Sequence, residues 1–387
     1  LIMKYSSIIL FFVLLISCKE KYISDAVSSN RLLVVEGNIN NGNDSTILQL
    51  SRSEQLNSTQ TTPESSAKIT IESIDGTTNI PLTERAKGSY SIFGLNLNAN
   101  NKYRVRIITS DNQTYLSDTL SVLSNPAIDS VNWTYKDGGV QLYVNSHSNN
   151  TGTNYYKWDY KETFEFHSKY KSYLKISTIN YYKSQFAWLG YRDSVNATYD
   201  NNMYQCWKDV NSSDINISNT SNLSTNSIHY PLTWIEPGSE KLSTMYSILV
   251  KQYAISPEAY NFYNKIKKNT ESTGTLFDPQ PSDIRGNIRN INKPTEVVIG
   301  FMNICNSQSK RILIDNKNLN NWIPSSQCYL REIKNNSDSI LLSGRGLIPT
   351  DVAQYVTSII SYYAAPPECV DCRTKGGNNN KPSYWPK

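Results

Sequence analysis

The chain has 387 residues, with 38 Lys and Arg against 33 Asp and Glu and a formal charge of +5. So weak a positive balance excludes the dense basic field that holds nucleic acid, and the length leaves room for two or three ordinary domains with ample core. With 27 Tyr, seven Trp and nine Phe but four Met and three His, the composition suits neither a coiled coil, a collagen nor a disordered acidic tail.

Residues 1–17 read as a signal peptide and leave the fold. Lys4 supplies a positive start, and Ile8 to Ile16 form an unbroken apolar run. That run is too short to span a bilayer core of ~30 Å as a helix. Ser17 stands directly before Cys18, where the run ends. The stretch resembles the bacterial lipobox, which implies cleavage before Cys18, lipidation of its thiol and acylation of the new amine. The other reading is an ordinary signal peptide with a chance cysteine. No later segment reaches about eighteen apolar residues. Tyr355 to Ala365 comes nearest, interrupted by Thr357, Ser358 and Ser361 and stopped by Pro366-Pro367. The expectation is a body in water, tethered to a lipid membrane through acylated Cys18, each buried methylene adding ~0.8 kcal/mol. Residues 18–30 are polar and read as the lipidated tether.

From Arg31 short β-like runs alternate with turn residues. Leu33-Val34-Val35 is followed by Gly37 and the Asn41-Gly42 pair; Ile47 to Leu50 and Ala67 to Ile74 come next, the latter ending at Asp75-Gly76. Tyr90 to Phe93, Tyr103 to Ile108 and Tyr115 to Val122 complete the series. About half a dozen strands in so short a span predict an immunoglobulin-like β-sandwich over residues 31–124. Leu97, a polar stretch and Tyr103 opening a strand look like the tyrosine corner of such modules.

Asn125-Pro126 breaks the pattern, and residues 125–387 read as a larger β-rich domain with one or two helices and long loops. Strands are predicted at Val131 to Tyr135, Val140 to Val144, Tyr155 to Phe166, Tyr204 to Trp207, Met245 to Tyr253, Val297 to Ile304 and Arg311 to Ile314. Asp209 to Ser227, rich in Asn, Ser and Thr, reads as a loop. One helix is signalled by Ser256 as cap, Pro257 in the first turn, Glu258 at the positive end and Lys265, Lys267 and Lys268 at the other. Gly274 to Gly286 reads as an ordered loop after it. A second helix is predicted from Thr350, on the stripe Val352, Tyr355, Val356, Ile359, Ile360 and Tyr363. Its β-branched residues leave a strand as the alternative.

Beyond Cys18 there are five cysteines, and an exported chain meets oxidising conditions. Structural disulfides are expected among Cys206, Cys328, Cys369 and Cys372, with the C-terminal tail tied to Cys328 or Cys206. Cys369-Val370-Asp371-Cys372 also allows a redox pair or half a zinc site. Yet it follows Pro366-Pro367 and precedes Gly376-Gly377, a coil setting with no helix after it, and a redox motif belongs at a helix N-terminus. His147, His167 and His229 are isolated and flank no G-x-S-x-G elbow and no H-E-x-x-H. Glu162 and Glu165 lie three apart on a predicted strand, hence on opposite faces. Ser343-Gly344-Arg345-Gly346 lacks the Lys-Ser/Thr of a phosphate loop. No metal, no cofactor and no enzymatic activity are therefore expected. The residual hint is aromatic: Trp188 and Tyr191, beside Gly190, are the candidate ligand-stacking pair.

Several pieces taken in order carry a family resemblance. They are Leu33-Val34-Val35-Glu36-Gly37, Gly88-Ser89-Tyr90, the Tyr103 to Ile107 strand and Pro126-Ala127-Ile128-Asp129-Ser130. Tyr246 to Tyr253, Ser256 to Tyr260, Gly274 to Asn287, Val298-Ile299-Gly300-Phe301 and Lys310-Arg311 follow. The tail adds Cys369, Asp371-Cys372-Arg373, Gly376-Gly377 and Lys381 to Trp385. In order and spacing the chain resembles the Bacteroidota lipoproteins grouped as domain-of-unknown-function family 4249, a name that records no established activity. The resemblance implies an accessory lipoprotein of the outer membrane that binds or docks beside a TonB-dependent transporter; of the two membrane faces the cell surface is expected ahead of the periplasmic one. Two competing expectations are a surface hydrolase using carboxylates dispersed in sequence, and a structural or adhesive envelope protein.

Overall fold

Alternation of apolar and polar residues from Leu33 onward pairs strands into two sheets that share one core. The computed structural model describes residues 31–53, 62–149, 154–182, 184–193, 195–196, 198–271 and 284–386. Residues 1–30, with the expected signal peptide, tether and Cys18, lie outside the described residues, as does most of the expected loop after the Ser256 helix.

In the first sandwich one sheet runs Leu33–Glu36, Ser45–Arg52, Ser89–Phe93, Thr83–Ala86. The facing sheet is built around Lys102–Ile108, which pairs with Lys68–Ser73, Thr114–Ser117 and Leu120–Leu123. Leu33, Val35, Leu48, Leu50, Ile69, Ile71, Val105 and Ile107 point inward at every second position and are buried. The tyrosine corner is present. Tyr103 is buried, and its hydroxyl donates to the Asn98 carbonyl at 3.1 Å.

The sandwich is not contiguous in sequence. Ile288–Asn290 pairs antiparallel with Thr114–Ser117, and Ile304–Cys305 pairs parallel with both Ile39–Asn40 and Leu120–Leu123. Ile288, Val298, Met302 and Ile304 join its core. Position 124/125 marks where the chain first leaves this unit, and residues 284–305 return to finish it. The strand expected over Val297 to Ile304 is reduced to Ile304–Cys305. Gly300 sits at φ +143°, where a Cβ would lie 2.2 Å from the Val35 carbonyl oxygen, so the backbone bends away from a ladder there.

The second unit packs Ile128–Lys136, Gly139–His147 and Ser227–Ile235 against a five-stranded sheet. That sheet runs Gln205–Asn211, Tyr155–His167, Met245–Ile255, Gln308–Asp315, with Asn216–Asn219 also on Tyr155–His167; the last strand lies inside the stretch expected to be loop. Val140, Leu142, Val144, Trp158, Phe164, Phe166, Tyr246, Ile248 and Val250 form the shared core. The buried Trp158 indole donates to Gln252 Oε1 at 2.9 Å, and Gln252 Nε2 donates to Ser146 and the Pro126 carbonyl, which fixes the junction.

Pro257–Glu271 is the expected helix, with Ser256 Oγ accepting from the Ala259 N–H at 3.1 Å. The helix predicted from Thr350 is instead a β-hairpin, Ile348–Tyr355 with Ile359–Ala365. Val352, Val356, Ile359 and Ile360 are stiff at χ1 and suit a pleated surface better than a helix. The apolar stripe is shared between two strands that enclose Tyr362 and Ala364 in a small core with Leu174, Ala187 and Ile340. Ile340 comes from an unanticipated helix, Ser337–Ser343, capped by Asn336. The tail, expected as coil, contains the helical turns Pro367–Val370 and Cys372–Lys375; Asp371 between them accepts from the Arg373 N–H and ion-pairs with its guanidinium.

Candidate functional site

The cysteines pair across the sequence: Cys206 with Cys372 and Cys328 with Cys369. The two cysteines of the C-x-x-C motif thus take different partners, leaving no dithiol for exchange. Cys305 is a free thiol buried under the first sandwich, its pKa pushed up to about 12 by burial. Such a thiol is inert, since only the thiolate attacks or ligates.

Among the described residues no group of three or more His, Cys, Asp and Glu could hold a metal ion, and no helix is long and apolar enough to cross a membrane. His147 faces Asp129 at 2.8 Å, His167 faces Glu165 at 3.2 Å, and His229 contacts Asn145 and stacks on Tyr143. Glu162 and Glu165 occupy opposite faces of Tyr155–His167, as a period of two requires. Glu162 points inward and accepts from Tyr246 at 2.8 Å and Lys241 at 2.6 Å; burial first, then this carboxylate, push the Tyr246 phenol well above its ordinary value. Glu165 faces the tail and accepts from the Trp385 indole at 2.8 Å, from Gln205 and from His167. Burial raises its pKa, but these hydrogen bonds outweigh that and leave it below the ordinary value. Beside it the Tyr384 hydroxyl donates to Thr163, and the Arg311 guanidinium lies 3.7 Å from the Tyr384 ring. Glu162 and Glu165 are thus each engaged by hydrogen bonds on their own face of the strand.

Trp188 and Tyr191 lie on the hairpin Leu174–Tyr181 with Ser184–Tyr191. Three residues apart, they belong to opposite faces and form no common platform. Tyr191 shares the inward parity of Ala187 and Leu189, which pack with Leu174 and Ile176 on the Ser337–Ser343 helix. Trp188 has the outward parity, opposite Ser177, and Phe186 stands opposite Ile179. Trp188, Phe186, Ile179 and Tyr181 are each about half exposed or more on this face, and Tyr182 at the turn is 89% exposed. One side chain of the expected pair thus belongs to a larger apolar face, which the cross-strand register assembles.

A cavity of about 420 Å³ opens where the two sandwiches meet. Val34, Glu36 and Asn38 reach it from the first strand and its following turn, with Ile47 beside them; Lys157, Asp159, Lys251 and Tyr253 come from the five-stranded sheet. Phe262, Tyr263 and Ile266 arrive from the Pro257–Glu271 helix, and Ile299 and Phe301 from the returning segment. Lys251 bridges the two units through Asp44 at 2.8 Å, and this hydrogen bond holds the Asp44 carboxyl below its ordinary value. Lys157 pairs with Asp159 and lies 5.6 and 5.7 Å from the Tyr253 and Tyr263 rings. Burial, reinforced by the charge of Asp159, raises both phenols above their ordinary pKa. The lining therefore combines an apolar wall with two ion pairs, Lys157 with Asp159 and Lys251 with Asp44, and the Glu36 carboxylate. No sequence periodicity could have found it, because its residues come from segments more than 250 positions apart.

Among solved structures, the chain is similar to an alpha-2-macroglobulin from Salmonella, at 11% identity and a TM-score of 0.18, over 78% of this chain and 15% of that one. The chain thus spans only a small part of that relative's length. A DUF3823 family protein from Bacteroides ovatus is similar at 11% identity and a TM-score of 0.12, over 58% of this chain and 91% of that one. No curated protein matches. The family described as Domain of unknown function (DUF4249) matches residues 19–311, which stops short of Cys328, Cys369 and Cys372 and leaves the tail outside the matched span. Over that span the chain belongs to the DUF4249 family.

Proposed function

We propose that this chain is a lipid-anchored accessory protein of the outer membrane that docks beside a TonB-dependent transporter and performs no catalysis. The observation that carries the docking is the outward face of the hairpin, where Ile179, Tyr181, Phe186 and Trp188 stand together in solvent. A contiguous exposed patch of aromatic residues marks a surface meant to be covered by another molecule. The inner face of the same hairpin is packed on a helix, so the patch is presented rigidly and little ordering entropy is lost on contact. Anchorage rests on Ser17-Cys18 at the end of the apolar run, with the cell-surface side as its expected location.

The absence of catalysis is supported by the state of two of the three cavity carboxylates. Asp44 and Asp159 in the cavity are ion-paired, and Asp44 is held below its ordinary pKa, the reverse of a general acid poised near neutral pH. A surface hydrolase would need a pair whose environments drive the two pKa values apart. The test is gentle detergent extraction of the native membrane followed by affinity capture of this chain. A stoichiometric transporter in the eluate supports docking. Recovery of the chain alone, or capture undiminished by the double change Phe186→Ala and Trp188→Ala, would refute it.

A further inference from the structure

We propose that the cavity between the two sandwiches binds a small organic cation, an ammonium group carrying an apolar tail. The volume, about 420 Å³, falls in the range of small-molecule sites. Its polar equipment is one-sided. Both lysines in the lining are already neutralised, Lys157 by Asp159 and Lys251 by Asp44, so an anionic ligand would have to break an ion pair to find a partner. Glu36 is different: among the described residues its carboxylate has no ion pair and no hydrogen bond, and its charge reaches the Tyr263 phenol. Two residues further on, Asn38 Oδ1 is a buried acceptor without a donor. A buried acceptor left unmade costs free energy until something donates to it.

These acceptors share one short stretch of chain. Val34 and Glu36 project from the same face of Leu33–Glu36 because alternate residues do, and Gly37 at φ +125° turns the chain so that Asn38 follows them into the lining. An ammonium donates hydrogen bonds and accepts none, which suits the Glu36 carboxylate and the Asn38 amide oxygen in this lining. The same lining includes Phe262, Ile266 and Phe301, an apolar and aromatic surface for a tail. This site is independent of the docking reading, for it needs no partner protein and lies on different elements from the hairpin.

The purified chain would be titrated calorimetrically with 4-phenylbutylamine and, separately, with 4-phenylbutyrate, which has the same tail and the opposite charge. Saturable binding of the amine is expected, and none of the carboxylate. Glu36→Gln, at an exposed position, should weaken the amine about tenfold or more, the worth of one charge-assisted hydrogen bond. Asn38→Leu, which removes the orphaned oxygen, should weaken it by a smaller factor. Melting curves confirm that each variant is folded, and each tests the site without the other. Equal binding of the two probes, no binding of the amine, or an unchanged amine affinity in both folded variants would overturn the proposal while leaving the docking reading untouched.

Discussion

Gly300 holds its turn at φ +143° against the Val35 carbonyl. Any side chain there meets both a left-handed backbone and a backbone oxygen, so Gly300→Ala is expected to destabilise the chain by about 1–3 kcal/mol or more. A shift of the urea midpoint with an unchanged slope would report it. Glu165 carries a pH dependence. Its folded pKa lies below the model-peptide value, so its contribution is present above the unfolded pKa and is lost as the pH falls through the folded one. Stability should therefore drop below about pH 4, and Glu165→Gln should flatten that part of the profile; an identical acid limb in the variant would contradict the assignment. At this scale, what sequence can reveal depends on distance along the chain. Ser256 over the Ala259 N–H and Tyr103 over the Asn98 carbonyl are local contacts with local signatures. The Trp385 indole on Glu165 spans 220 positions, and nothing near either residue announces the other.

Among the elements, the Pro257–Glu271 helix was legible because cap, proline and charge gradient agree. Ser256→Ala should cost about 1 kcal/mol in a denaturation experiment. The segment from Thr350 was misread because its apolar stripe satisfies a helical period while its β-branched residues favour a strand, and the choice was made by what lies beside it. Tyr362 and Ala364 complete a core with Leu174, Ala187 and Ile340, which a helix would not present in the same way. The exposed hairpin face was half legible: Trp188 stood out as an aromatic beside Gly190, but its companions are set by the register of a partner strand. Phe186→Ala and Trp188→Ala should change stability by no more than about 0.5 kcal/mol, as surface substitutions do. Their effect is predicted on partner capture alone, so a large loss of melting temperature would mean that the face is structural.

For the whole molecule, the disulfides were expected as a set, whereas their partners depend on the path of the tail around the five-stranded sheet. Cys206–Cys372 closes a loop of sequence separation 166 and Cys328–Cys369 one of 41. Removing either by double substitution to serine should destabilise by about 2–5 kcal/mol, with the larger loop costing more in the chain-entropy account; equal midpoints with and without reductant would argue against it. The meeting of the two sandwiches was out of reach of any local pattern, and with it the cavity between them.

The return of residues 284–305 to the first sandwich also sets an order of events. Ile288, Val298, Met302 and Ile304 belong to the earliest-made core, so that core stays open while roughly the next 160 residues emerge. A fragment ending at residue 124 would expose this unfinished interior and the sheet edges that the late strands cover. It should aggregate, while a peptide spanning 284–311 added during refolding should rescue it. Maturation of the unit nearest the proposed anchor thus waits on sequence from the far side of the chain, and a nascent protein stalled midway would be left with that unit incomplete.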